Sequence, residues 1–186
     1  MTKLLFVCHG NICRSPMAEF VFQYLAEKRG VLHLFDVSSC GTSGEELGHS
    51  VYPPVKRILT EKGIPFKDRY ARVITKKDYI EYDYIVCMEQ YNIRNLHRII
   101  GDDPESKVSL LLSYTESKRD VSDPWYSRDF EGTYKDVKEG CEALLSFLLK
   151  KIFSPNIYFI TSIMNTIPQT KFSMPASMLI HLQNLG

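Results

Sequence analysis

The sequence is short of net charge. Its 23 lysines and arginines stand against 22 aspartates and glutamates, so no broad basic field exists to neutralise nucleic-acid phosphates or an anionic membrane surface, and phosphate recognition must be local. It lacks an apolar leader. Met1-Thr2-Lys3-Leu4 opens the chain without the hydrophobic run and cleavage site of a secretory signal, which favours a cytoplasmic location. It lacks a paired cysteine framework: Cys8, Cys13, Cys40, Cys87 and Cys141 are an odd set that suits free thiols in a reducing compartment. It lacks internal repeats, and its apolar stretches are broken by proline before they reach the ~20 residues of a spanning helix. At 186 residues and 44% hydrophobic, the chain can bury one ordinary core and is expected to form one globular domain.

What is present is an alternation of strand-like and helix-like segments. "KLLFV" at Lys3 to Val7 reads as a buried parallel strand, Phe35 to Ser39 as a second strand, "DYIVCM" at Asp83 to Met88 as a central strand and "KVSLLL" at Lys107 to Leu112 as a fourth. Helical spacing follows Pro16, which suits a first helical position, and that helix stops at Gly30. Further helices are read around Val55 to Leu59, from Asn92 to Ile100 and from Tyr134 to Lys151. The alternation predicts an α/β fold, a single domain with a four-stranded parallel, doubly wound sheet and helices on both faces.

In such a sheet ligands bind beyond the carboxyl ends of the strands, and "VCHGNICRSP" at Val7 to Pro16 is the loop that leaves the first strand and enters the first helix. Its backbone N–H groups and the helix N-terminus make a concave donor cluster suited to a phosphate dianion. Gly10 permits close backbone approach and Asn11 tolerates left-handed geometry. Arg14 can grip two phosphoryl oxygens with its planar fork. Thiols placed at a helix N-terminus beside an arginine ionise readily, which marks Cys8 as a nucleophile aimed at phosphorus. The leaving oxygen needs a proton donor, and Asp123 of "DPWY", in the polar loop before the last helix, is the candidate acid; Trp125 and Tyr126 offer aromatic walls for a flat leaving group. Cys13, five residues from the nucleophile, can trap it as a disulfide after oxidation.

"VCHGNICRSP" followed more than a hundred residues later by "DPWY", with "SSCGTSG", "KGIPF" and "DYIVCM" between them, resembles the low-molecular-weight protein-tyrosine phosphatases over about Met1 to Lys151. The resemblance implies hydrolysis of protein phosphotyrosine and small aryl phosphates without metal or cofactor. Cys8 would form a phosphocysteine, Arg14 would hold the phosphoryl oxygens, and Asp123 would protonate the leaving oxygen and then activate water. His9, Gly10, Asn11, Ile12, Cys13 and Ser15 would form the phosphate-binding loop, with Ser15 stabilising the thiolate and Asn11 and Ser39 bracing the turn. It also implies a redox-sensitive Cys8–Cys13 pair and phosphotyrosine proteins or peptides as partners.

Four positions depart from the family pattern. Arg69 of "DRYAR" lies where many members carry a histidine shortly before the "AR", and Glu89 replaces the usual aspartate after "CM". His9 replaces an apolar residue, and Glu45 falls where an aromatic often lines the cleft. Two other functions share the loop. A thiol-dependent arsenate reductase would be expected to carry two further cysteines near Cys87, where one stands; a phosphocarrier or phosphate-binding module leaves Asp123 and the aromatic pair unexplained. A phosphoarginine-directed branch tends to have a threonine where Ile12 stands, and the apolar side chain favours an aryl phosphate. Residues 152–186 carry a single charged side chain, Lys171. This apolar extension is expected to be poorly ordered and open to self-association.

Overall fold

In the computed structural model, backbone is described for residues 1–166 and side chains for residues 1–153. Four parallel strands, β1 (Thr2–Cys8), β2 (Phe35–Gly41), β3 (Tyr84–Cys87) and β4 (Val108–Leu110), form one sheet in the order β2-β1-β3-β4. The chain steps from β1 to β2 on one side and then returns to β3 on the other. The reversal falls beside β1, at the point where open sheets take their ligands.

Side-chain alternation along β1 assigns the two faces. Phe6 meets Phe22 of α1 (Arg14–Lys28), with ring centroids 5.9 Å apart, and Phe22 meets Phe35 edge-on. Helix α6 (Phe130–Thr166) closes the same face, where the Cys141 thiol donates to the Ala18 carbonyl at 3.7 Å. On the other face Leu5, Val7, Ile85 and Cys87 pack with Leu96 of α4 (Gln90–Ile100), flanked by Tyr79 of α3 (Lys76–Glu81). Each of these fully buried apolar side chains stabilises the fold by about 1.5–3 kcal/mol. The compact unit holding the sheet spans Met1–Leu148.

The expected strands are all present, and the helix boundaries are displaced. α1 begins at Arg14, which leaves Pro16 in the third helical position. The first turn still tolerates it, because its N–H groups have no intrahelical acceptor. Gly30 stops α1 as expected: at φ 69° its N–H reaches Glu27 O while the Val31 N–H reaches Ala26 O, and the same device at Gly63 ends α2 (Pro53–Glu61). The long helix starts earlier than its apolar spacing suggests, since Asp129 caps it by accepting the Gly132 N–H at 2.7 Å. It also continues past Lys151 to Thr166. The part of the expected C-terminal extension beyond Thr166 lies outside the described residues, and no helix among those described is long and apolar enough to cross a membrane.

Candidate active site

β1 delivers Cys8 to the edge of a cavity of about 650 Å³. The loop turns sharply at Asn11, which is buried at φ 58°, a left-handed geometry that costs a non-glycine residue about 1–2 kcal/mol. Four side-chain hydrogen bonds, worth about 1 kcal/mol each, offset this. The Asn11 amide donates to Ser15 Oγ at 2.9 Å and to Ser39 Oγ at 3.0 Å, and its Oδ1 accepts from Arg69 Nη2 at 2.8 Å and the Arg72 N–H at 3.1 Å. Because arginine only donates, these partners fix the amide orientation. The turn then points the Asn11 N–H at Cys8 Sγ, 3.3 Å away.

Ser15 presents a proton-counting constraint. Its Oγ lies 3.0 Å from Cys8 Sγ and 3.2 Å from the Cys40 carbonyl, and it has one proton for both. A protonated Cys8 can donate to Ser15 while Ser15 serves the carbonyl. A thiolate cannot donate, so the hydroxyl must turn to sulfur. The site can therefore accommodate both charge states by rotating one O–H.

Arg14 is 3% exposed and its Nη2 meets Asp123 Oδ2 and Glu89 Oε1, each at 2.7 Å. Burial disfavours its charge, yet the negative groups Cys8, Glu89 and Asp123 outweigh burial and hold the guanidinium above its usual range. Its Nη1 is buried and has no hydrogen-bond partner among the described residues. A planar fork with one arm held by carboxylates and the other unpartnered, on a residue that lines the cavity at the start of α1, is suited to receive an oxyanion. Asp123 is not in a plain loop. It caps a short helix, α5 (Pro124–Ser127), with Oδ1 accepting the Trp125 N–H at 3.0 Å.

The residues read from the sequence come together. His9, Gly10, Ile12, Cys13, Glu45, Trp125 and Tyr126 line the same cavity as Cys8, Asn11, Arg14 and Asp123, while Ser15 and Ser39 stand behind the loop. Cys13 is a free thiol pushed up by burial and by Cys8 beside it. Cys87 is fully buried, which removes it from the surface that a disulfide relay would use.

Four residues take roles that the sequence does not announce. Gly41, opposite Cys8 in the β1–β2 register, lets the following strand end press on the loop: a Cβ there would sit 2.5 Å from the His9 carbonyl, which accepts the Thr42 and Ser43 N–H groups. Tyr91 and Glu46 line the mouth. Arg69, flagged only as a departure, reaches from an irregular segment to bind Asn11 Oδ1, the Ser39 carbonyl at 3.0 Å and Glu19 at 3.5 Å.

The family model for low molecular weight phosphotyrosine protein phosphatases matches residues 3–153. The chain belongs to this family. It is 39% identical to the low molecular weight protein-tyrosine-phosphatase YfkJ of Bacillus subtilis over 81% of this chain and 98% of that protein. It is 40% identical to the low molecular weight phosphotyrosine protein phosphatase of Homo sapiens over 77% and 93% respectively. The crystal structure of Bacillus subtilis YfkJ superposes with a TM-score of 0.78 at 38% identity, covering 81% of this chain and 96% of that one. Membership makes the chain a cysteine-dependent protein-tyrosine phosphatase. Within the phosphatase site, Glu89 carries the departure from aspartate by pairing with Arg14 while also accepting from Asn92 Nδ2 at 3.1 Å at the start of α4.

Proposed function

We propose that this phosphatase hydrolyses phosphotyrosine in proteins and peptides through a phosphocysteine formed on Cys8. Three groups act in sequence. The Cys8 thiolate attacks phosphorus and the bond to the tyrosyl oxygen breaks, with Asp123 delivering the proton to that oxygen. Asp123, now a carboxylate, takes a proton from water as the water oxygen attacks phosphorus, and inorganic phosphate leaves with the thiolate restored. Arg14 binds the equatorial oxygens in both steps; the incoming oxyanion takes its free Nη1 and competes for Nη2, which releases Asp123 towards the leaving group. Trp125 and Tyr126 flank the ring, and Ile12 gives the pocket an apolar side suited to an aryl ester. Once a peroxide has oxidised the Cys8 sulfur to a sulfenic acid, the Cys13 sulfur attacks it and closes the disulfide with loss of water.

The observation that carries this reading is the juxtaposition of Cys8, a guanidinium with a free buried donor and Asp123 at 2.7 Å from that guanidinium. Cys8→Ser is expected to abolish turnover of p-nitrophenyl phosphate and of a phosphotyrosine peptide while retaining vanadate binding, because the N–H cradle and Arg14 remain. Asp123→Asn is expected to slow phosphotyrosine hydrolysis by about 10²–10⁴-fold and to slow aryl phosphates progressively less as the leaving phenol becomes more acidic. Normal turnover by Cys8→Ser, or equal slowing across the phenol series, rejects the respective role.

A further inference from the structure

Helix α4 leaves the catalytic cavity and carries an exposed basic face that the phosphoryl chemistry does not use. Its first turn places Tyr91 at the cavity mouth, 46% exposed. The Arg94 guanidinium lies 5.6 Å from the centre of the Tyr91 ring, and Arg94, His97 and Arg98 are all exposed while Asn92 and Leu96 face the core. No residue of α4 is acidic. Among the described residues neither Arg94 nor Arg98 is in an ion pair; Arg98 donates only to the neutral Asn95 amide at 3.0 Å. The acids on the opposite lip are differently placed, since Glu45 is bound to His9 at 3.0 Å and Glu46 to His49 at 2.7 Å.

We propose that the Tyr91–Arg94–Arg98 face of α4 binds acidic residues flanking the phosphotyrosine, so that the phosphatase selects acidic phosphopeptides. This rests on the phosphotyrosine reading above. The spacing fits the ligand: Tyr91 and Arg98 are separated by about 10 Å along the helix axis, the span of about three residues of extended peptide. A side chain adjacent to the phosphotyrosine meets Arg94 beside Tyr91, and one about three positions away meets Arg98. An exposed arginine–carboxylate contact is weak, so two of them give a preference of about 3- to 10-fold that is lost as salt shortens the screening length.

The test compares kcat/KM for phosphotyrosine peptides that differ only in three flanking residues, acidic or neutral, placed N-terminal or C-terminal to the phosphotyrosine, with p-nitrophenyl phosphate measured in parallel. The acidic-to-neutral ratio is the readout, so any general loss in a variant cancels. One acidic series is expected to exceed its neutral partner by about 3- to 10-fold at low salt and to lose that advantage near 1 M NaCl. Arg94→Ala and Arg98→Ala should each reduce the ratio, and Arg94→Glu with Arg98→Glu should invert it in favour of lysine-flanked peptides. A ratio of one in the parent protein overturns the proposal, as does an unchanged ratio in the charge-reversed variant. Loss of binding to phosphatidylserine vesicles in that variant without any peptide preference in the parent also overturns it and assigns the face to an anionic surface. Failure of the phosphotyrosine reading itself is distinct: no peptide, of any flank, would then be hydrolysed.

Discussion

Asn11 takes its left-handed geometry because Arg69 and Arg72 fill its carbonyl oxygen while Ser15 and Ser39 accept its N–H groups. Arg69 is the unusual member. Its guanidinium is partly buried, and burial lowers its proton affinity against the opposing pull of Glu19 and Cys8, yet an arginine remains charged across the physiological range. Replacing it exposes what that permanent charge does. Arg69→Met leaves Glu19, 4% exposed, without its counter-ion, and the resulting buried charge is expected to cost about 3–5 kcal/mol of stability by denaturant titration. Adding Glu19→Gln should restore much of the stability but not the activity, because Asn11 Oδ1 keeps only the Arg72 N–H of its two donors and the Ser39 carbonyl loses its bond from Arg69. Arg69→His is the sharper probe. Imidazole titrates near pH 6.5, so kcat/KM should fall above about that pH more steeply than in the parent, reflecting loss of the cation behind the loop. An identical pH profile in the two proteins would show that only the hydrogen bonds matter. The role of Arg69 was not legible in the sequence, because it is made by one side chain from an irregular segment 58 positions from Asn11. The loop's own residues were legible because strand end, turn and helix start follow each other directly.

Elements differ in the same way. Three of the four strands are readable as apolar runs, whereas β2 (FDVSSCG) is mostly polar and the order β2-β1-β3-β4 comes from the structure; α3 is a single short helix set by the Thr75–Asp78 reciprocal cap, too brief to show a period. The segment carrying Asp123 has the look of a loop in sequence because nothing in "SDPWYS" has helical spacing, whereas the capping carboxylate and Pro124 generate one turn. This segment is pinned from outside. The Val121 N–H donates to the Met88 carbonyl at 2.8 Å, and Asp136 of α6 accepts from Arg119 at 2.6 Å and from the Ser122 N–H at 3.0 Å. Burial raises the Asp136 proton affinity, but the bonds from Arg119 and Ser122 prevail and hold it below the usual carboxylate value of 3.8. A depressed folded value means the contribution is complete above the unfolded value and lost as pH falls through the folded one. Asp136→Asn is therefore expected to cost about 1–2 kcal/mol at pH 7 and to flatten the acid loss of stability below about pH 4. It should also lower kcat on phosphotyrosine more than on p-nitrophenyl phosphate, since the displaced partner is the acid-bearing turn. A uniform loss on both substrates would place the effect in folding alone.

The whole molecule stores three thiols, Cys40, Cys87 and Cys141, in a core that exposes none of their surface. Their place on strands and a helix was readable, and the depth of burial follows from the sheet being covered on both faces. Burial pushes all three thiols up from the ordinary value of 9.0. At pH values below 9 both folded and unfolded chains carry these protons, and stability is unaffected by them. Above it the unfolded thiols ionise while the folded ones remain neutral, so the unfolded state binds fewer protons and stability must fall as pH rises, by about 1.4 kcal/mol per pH unit for each thiol. Tyr79, Tyr134 and Cys13 are raised as well and act in the same direction, so the total slope alone does not isolate these three cysteines. Cys141→Ser does. Serine preserves a donor for the Ala18 carbonyl and does not titrate in this range, so the variant should lose stability at pH 8 yet lose less with further alkalinity, its slope between pH 9.5 and 10.5 shallower by about 1.4 kcal/mol per pH unit. Parallel slopes in denaturant titrations of the two proteins would mean that the native thiol ionises as freely as the unfolded one, and that the α1–α6 interface opens to water well before the sheet unfolds.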